Sequence, residues 1–287
     1  MRLLCLHGVG SSARICESQF RPFLKAVDPS YEFIFVDGPV LSRRGPGIGP
    51  HLEGPFYSHT TGYSPKEMQD AQEHLDATIE ELGPFDGVLG FSQGAALTIS
   101  YIFQRQACGE AIPFDFALFF SSVIPCSADA GYCEKMIQRF CSLGHDITEI
   151  SSTGDLMLHE NERLFIDLVS RTVVKARKND ALLPEYDMNI YTEGDGSEAP
   201  RVMHPQLLKE RITMPTVHVT GKRDFDFMRS MSDAAYGLCD IRHTKKLEHS
   251  GSHHPPQKTA EVNAVVRAME WAITQSQRES TGGSLRL

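Results

Sequence analysis

Residues 83–96 read Gly-Pro-Phe-Asp-Gly-Val-Leu-Gly-Phe-Ser-Gln-Gly-Ala-Ala, and the succession of residue types along them decides the fold. Gly83-Pro84 ends the segment before it. Phe85 to Phe91 is a short apolar run of the kind that forms a buried strand of a parallel sheet. From Gln93 to Gln106 small and apolar residues recur at helical spacing. Gly90-Phe91-Ser92-Gln93-Gly94 joins the two and has the pattern G-x-S-x-G. Lifting a serine above a sheet edge takes a sharp strand-to-helix turn, and flanking glycines remove the Cβ atoms that would collide there. The helix then points its amino terminus at the serine, so the Gln93 backbone N–H is placed to meet a developing oxyanion. Ser92 is the candidate nucleophile.

The flanks repeat the alternation. Ser64, Pro65 and Glu67 spell an N-cap, a first-turn proline and a capping box. Met68, Ala71, Leu75, Ile79 and Leu82 then mark one helix face. Residues 3–7 and 33–37 are apolar runs that read as strands, and a helix over 16–27 with Phe20, Phe23, Leu24 and Val27 inward lies between them. Downstream, 117–123, 215–220 and 243–248 read as strands. Helices are expected at about 228–238 and at 261–275. This βαβα order implies an α/β protein with a mostly parallel twisted sheet and helices on both faces, the α/β-hydrolase fold. We expect one domain over 1–275, a lid-like insertion at about 126–210 with helical patterns at 132–143 and 159–177, and a frayed polar tail over 276–287. Residues 40–63, rich in Gly, Pro and aromatics, read as a long functional loop beyond the carboxyl end of a strand.

A nucleophilic serine needs a base, and the base an orienting carboxylate. In this fold they follow in the order Ser, acid, His, each after a strand. Asp224 follows the strand at 215–220, and Asp226 is its rival. His253 follows the strand at 243–248, with His249 and His254 as alternatives. For the second oxyanion donor the sequence offers the backbone amide of Val9, or of Gly10, after the first strand. His7 reads as a core histidine closing that strand, and Ser11-Ser12 as a turn.

Composition narrows the partners. Lys and Arg number 28 against 37 Asp and Glu, a net charge of −9, which repels phosphate backbones and anionic lipid. Neither nucleic acid nor a membrane is expected. Seven cysteines without a C-x-x-C pair suit reduced thiols, and no metal site or cofactor is expected. With no apolar run of spanning length and no recognisable leader, the reading is cytoplasmic.

Taken together, LCLHGVGSS (4–12), FVDGP (35–39), GPFDGVLGFSQGAA (83–96), PTVHVTGKRD (215–224) and HSGSHHPP (249–256) resemble, in order, the landmarks of the fungal FSH-type serine hydrolases, whose animal relative is the ovarian-cancer-associated hydrolase. The resemblance covers about 1–125 and 212–275 and implies a triad of Ser92, Asp224 and His253. One departure is Ser252, where the family usually has glycine. Many fungal members resemble stand-alone thioesterases that release polyketides. The resemblance therefore implies a hydrolase of secondary metabolism acting on an acyl ester or thioester, free or carrier-protein-bound, through an acyl-serine. Phe56, Tyr57 and Tyr63 are then candidates to wall an acyl cleft; packing of a long loop is their other reading. A general carboxylesterase for small esters is the rival enzyme. A non-catalytic binding protein would be betrayed by a broken triad.

Overall fold

The computed structural model describes residues 1–143, 158–182 and 187–283. Its main sheet has six parallel strands in the order β2-β1-β5-β6-β7-β8. These are β1 (Arg2–Leu6), β2 (Glu32–Val36), β5 (Gly87–Phe91), β6 (Phe116–Phe120), β7 (Thr216–Gly221) and β8 (Thr244–His249). Side chains alternate across it with period two. Leu4, Leu6, Val88, Ala117 and Phe119 enter one apolar layer. That layer is shared with α2 (Pro65–Leu82) and α3 (Gln93–Ala107). Leu3, Cys5, Leu89, Phe91, Leu118 and Phe120 enter the other, beneath α1 (Ala13–Leu24) and the closing helix α8 (Thr259–Gly283). In that layer the fully buried Phe20 ring meets Phe120 edge-on at 4.8 Å. Burying one such ring contributes about 1.5–3 kcal/mol.

The strand order creates the site. From β1 the chain turns to one side to make β2, then crosses to β5 on the other side. The carboxyl ends of β1 and β5 therefore splay at a topological switch point, where open α/β sheets take their ligands. His7-Gly8-Val9 leaves one lip of that crevice and Ser92-Gln93 the other.

Three local expectations are corrected. Residues 40–63 are not structureless. They carry a small antiparallel pair, β3 (Val40–Ser42) and β4 (Phe56–Ser58), tied to the body by reciprocal backbone hydrogen bonds between Ser11 and Tyr57 of 3.1 and 2.6 Å. The first helix begins at Ala13 rather than 16, because the Ser12 hydroxyl caps it by accepting from the Ile15 N–H and the Asp37 carboxylate accepts from the Ala13 N–H at 2.7 Å. The closing helix starts at Thr259 and runs to Gly283, past the Ser276 at which composition suggests a stop.

Between β6 and β7 the described part of the insertion contains α4 (Glu134–Leu143), α5 (Glu160–Arg171) and α6 (Val173–Lys178). The Arg139 guanidinium ties α4 to α5 through a 2.5 Å ion pair with the buried Glu162. The helical pattern at 159–177 is broken at Thr172, whose hydroxyl donates to the Leu168 carbonyl. The break turns Val173 and Ala176 toward the crevice. Among the described residues no helix is long and apolar enough to cross a membrane, and the seven cysteines are free thiols.

Candidate active site

Ser92 stands in a backbone conformation that L-residues avoid, with φ 54° and ψ −111°. Its neighbours explain how that strain is held. A Cβ on Gly90 would lie 2.5 Å from the Ala95 Cα, and one on Gly94 would lie 2.5 Å from the Leu6 carbonyl oxygen. Only glycine lets α3 come this close to the strands. The Ser92 N–H donates to the Phe120 carbonyl at 2.9 Å and the Gly94 N–H to the His7 carbonyl at 3.1 Å, so the turn is fastened to strands on both sides.

The serine hydroxyl lies 3.0 Å from His253 Nε2, and His253 Nδ1 lies 2.7 Å from Asp224 Oδ2. With a proton on Nδ1 donated to the carboxylate, Nε2 is left as acceptor for the Ser92 O–H. The other Asp224 oxygen accepts from the Phe225 N–H at 2.8 Å, which fixes the plane of the buried carboxylate. The loops bearing acid and base are laced together. Lys222 N–H donates to the His249 carbonyl at 2.8 Å and Arg223 N–H to the Gly251 carbonyl at 2.9 Å.

The rivals fall elsewhere. Asp226 opens α7 (Asp226–Gly237), where its charge suits the helix amino terminus. Nδ1 of buried His249 accepts from the Gly251 N–H, and His254 Nδ1 donates to the Pro255 carbonyl. Ser252 costs the turn nothing visible. Its φ is not left-handed, and its side chain is exposed. The glycine requirement sits beside it, at Gly251, where a Cβ would come within 2.3 Å of the His254 ring.

Hydrogen bonds from His7, His59 and Gln93 hold the crevice. His7 Nδ1–H donates to the Gly8 carbonyl at 2.7 Å while its Nε2 accepts from the Gly38 N–H at 3.0 Å, which keeps the ring neutral and immobile. Burial lowers its pKa. The His59 ring lies 4.3 Å away, tilted by 34°, and its pKa is pushed well down by burial and by its neighbour His7. The Gln93 carboxamide accepts from the His59 N–H at 2.9 Å and donates to the Tyr63 hydroxyl at 3.2 Å, joining α3 to the end of the 40–63 segment.

Ser92 and His253 open into a cleft of about 1070 Å³, open solvent at its mouth included. Gly8, Val9 and Gln93 line the same cleft as Ser92. Tyr63 is among the residues that line the cleft; Phe56 and Tyr57 are not. Phe56 packs under the Arg44 guanidinium, 5.3 Å from its ring centroid, and Tyr57 pairs through its backbone with Ser11 and Leu41. Their strand places them beside the cleft. The walls are Pro46-Gly47-Ile48, then Val173, Ala176 and Leu182 of the insertion, and Met228 and Met231 of α7. Val173 and Ala176 carried a signal in the helical pattern at 159–177, whereas Ile48 carried none that sets it apart.

A strained serine at the switch point of a parallel sheet, bonded to a histidine, places the chain among the serine hydrolases of the α/β-hydrolase fold. The family model described as serine hydrolase (FSH1) matches residues 1–265, and the chain belongs to that family. It is 36% identical to esterase alnB of Emericella nidulans over 284 residues, 97% of this chain and 98% of that one. It is 29% identical to serine hydrolase cnsH of Penicillium expansum over 234 residues, 80% of this chain and 95% of that one. Among solved structures it is similar to a monoacylglycerol lipase of Paleococcus ferrophilus, at 18% identity and a TM-score of 0.49, covering 95% of this chain and 94% of that one.

Proposed function

We propose that the chain hydrolyses esters or thioesters of apolar acyl chains, free or on a carrier protein, through an acyl-Ser92 intermediate. The hydrogen-bonded series Ser92–His253–Asp224, opening into an apolar cleft, carries this reading. His253 Nε2 takes the Ser92 proton as Oγ attacks the acyl carbon. The Val9 and Gln93 amides face the oxyanion, and Asp224 stabilises the imidazolium. The imidazolium gives its proton to the departing alcohol or thiol. The neutral imidazole then takes a proton from the water that attacks the acyl-serine, and returns it to Ser92 Oγ as the acid leaves. Every step uses the chain's own groups and water.

The apolar walls favour acyl chains of some length over acetyl, and the setting that fits the family resemblance is the release of such chains in fungal secondary metabolism. The name esterase, borne by the alnB relative, favours the second reading, a carboxylesterase for small acyl esters. Rates along a series of acyl thioesters and esters separate the two. Each methylene buried should raise kcat/KM about fourfold, the equivalent of about 0.8 kcal/mol, until the cleft is full. A flat profile leaves the small-ester enzyme.

A further inference from the structure

Over residues 250–252, just before the base, every backbone N–H and C=O has a partner. The Ser250 N–H donates to the Glu261 carboxylate at 2.8 Å, and its carbonyl accepts from the Arg223 Nε–H at 2.7 Å. The Gly251 carbonyl accepts from the Arg223 N–H at 2.9 Å, and the Ser252 carbonyl from the His254 N–H at 2.8 Å. The Gly251 and Ser252 N–H groups go to imidazoles. Gly251 donates to His249 Nδ1 at 3.1 Å, and Ser252 makes a longer contact of 3.4 Å with His254 Nε2.

The His249 contact is made at a cost. Because Nδ1 accepts, the ring proton sits on Nε2. That nitrogen is buried and has no hydrogen-bond partner among the described residues. The residue is 3% exposed, and an orphaned N–H at that depth destabilises the fold. An apolar side chain would fill the space without it. What the imidazole supplies instead is the acceptor for Gly251. That glycine is the joint between acid and base: the turn bearing Asp224 holds its carbonyl, His249 holds its N–H, and His253 follows two residues on. A Cβ on Gly251 would lie 2.3 Å from the His254 ring and 2.8 Å from the His249 ring, so both rings close over one face of it.

We propose that His249 is a positioning residue for the base: its neutral Nδ1 fixes Gly251, and through it the approach of His253 to Ser92, so that one proton on His249 disengages the catalytic histidine. A second proton on the ring would occupy Nδ1 and set a donor against a donor. The groups that face His249 are His254 of its own loop, Glu261 of α8 and Asp224 after β7. Burial lowers its pKa, with help from His254 and against the pull of the two carboxylates. The ring is therefore neutral near pH 7 and takes its charge only in acid. Activity then responds to two protons in acid, one at His253 and one at His249. The inference rests on the reading of His253 as base and adds a control upon it.

The test follows kcat and KM for one acyl ester from pH 8 downward in wild type, His249→Ala and His249→Asn. Fluorescence of Trp271, the single tryptophan, reports that the chain stays folded. At pH 8, His249→Ala should lower kcat about fivefold with KM unchanged, the loss of one buried hydrogen bond. His249→Asn offers a carboxamide oxygen where Nδ1 stands and should stay within about twofold of wild type. In wild type the fall of log kcat/KM with pH should begin near a slope of about one and steepen toward about two as the second proton binds. In His249→Asn it should not steepen. The far-downfield proton resonance of His253 Nδ1–H should weaken in His249→Ala and persist in His249→Asn. A His249→Ala protein with only its melting temperature lowered, kcat and resonance unchanged, would make His249 structural and overturn the proposal. So would a wild-type profile that never steepens while the chain is folded, or one that steepens equally in His249→Asn. If His249→Ala does not fold, the His249→Asn profile decides alone. Should His253→Ala retain full activity, it is the reading of the base that fails, and this inference with it.

Discussion

The nucleophile turn and the walls of the cleft, a few ångströms apart, are built on different principles. At the turn, backbone meets backbone: Gly90 against Ala95 and Gly94 against Leu6, with no room for a methyl group. In the walls, side chains from the 40–63 segment, the insertion and α7 meet across open space, and many residues of similar size would serve. A contact between backbones prescribes residue identity, whereas a filled or empty volume prescribes only bulk and polarity. Chemistry should therefore be brittle at the first region and gradual at the second.

The largest effect expected among the supporting groups falls on His253. His253→Ala should lower kcat/KM by a factor on the order of 10⁴. His254→Ala and His249→Ala should stay within about tenfold, because neither ring reaches Ser92. Parallel steady-state kinetics of the three variants decide it, and a dead His254→Ala with an active His253→Ala would redraw the relay.

Acid should attack the same region through stability. Burial depresses the pKa of His7 and His59 under the turn, and that of His218 in β7 to about 3. The unfolded chain therefore binds protons that the folded one refuses. Stability is fully present above the ordinary histidine pKa of about 6.5 and is lost as pH falls below it. Each such histidine removes up to about 1.4 kcal/mol per pH unit. Denaturant midpoints at pH 7, 6 and 5 should fall progressively, and His218→Gln should shallow the slope. An unchanged slope would show that His218 is protonated in the folded state.

The walls should respond more mildly. Ile48→Ala and Leu182→Ala should flatten the rise in kcat/KM with acyl length several-fold while leaving acetyl substrates nearly unchanged. Phe56→Ala, outside the wall, should shift melting temperature instead. A chain-length profile altered by Phe56→Ala and not by Ile48→Ala would return the wall to the aromatic residues first suspected.

The same division explains what could be read in the sequence. Ser92, Gln93, Asp224 and His253 stand at stations dictated by the sheet, each just beyond a strand end, and glycine spacing marks the turn. The capping box at Ser64 was legible for the same reason, since local hydrogen bonds leave local residue patterns. Phe56 and Tyr57 misled because aromatic bulk in a loop says that something is packed, not against what. Pairing β3 with β4 spends them beside the cleft. Ile48 became a wall through tertiary folding alone. His249 reads in sequence as a rival base, and its contact with Gly251 is visible only once the loop is folded.

The central claim is that Ser92 becomes acylated. Intact mass after brief incubation with a fluorophosphonate or a slowly cleaved acyl thioester, followed by peptide mapping, tests it directly. The account predicts one adduct per chain, located on the peptide containing Ser92 and absent from Ser92→Ala, whose kcat/KM should be lower by on the order of 10⁴ or more. An adduct on another residue, or undiminished hydrolysis by Ser92→Ala, would contradict it.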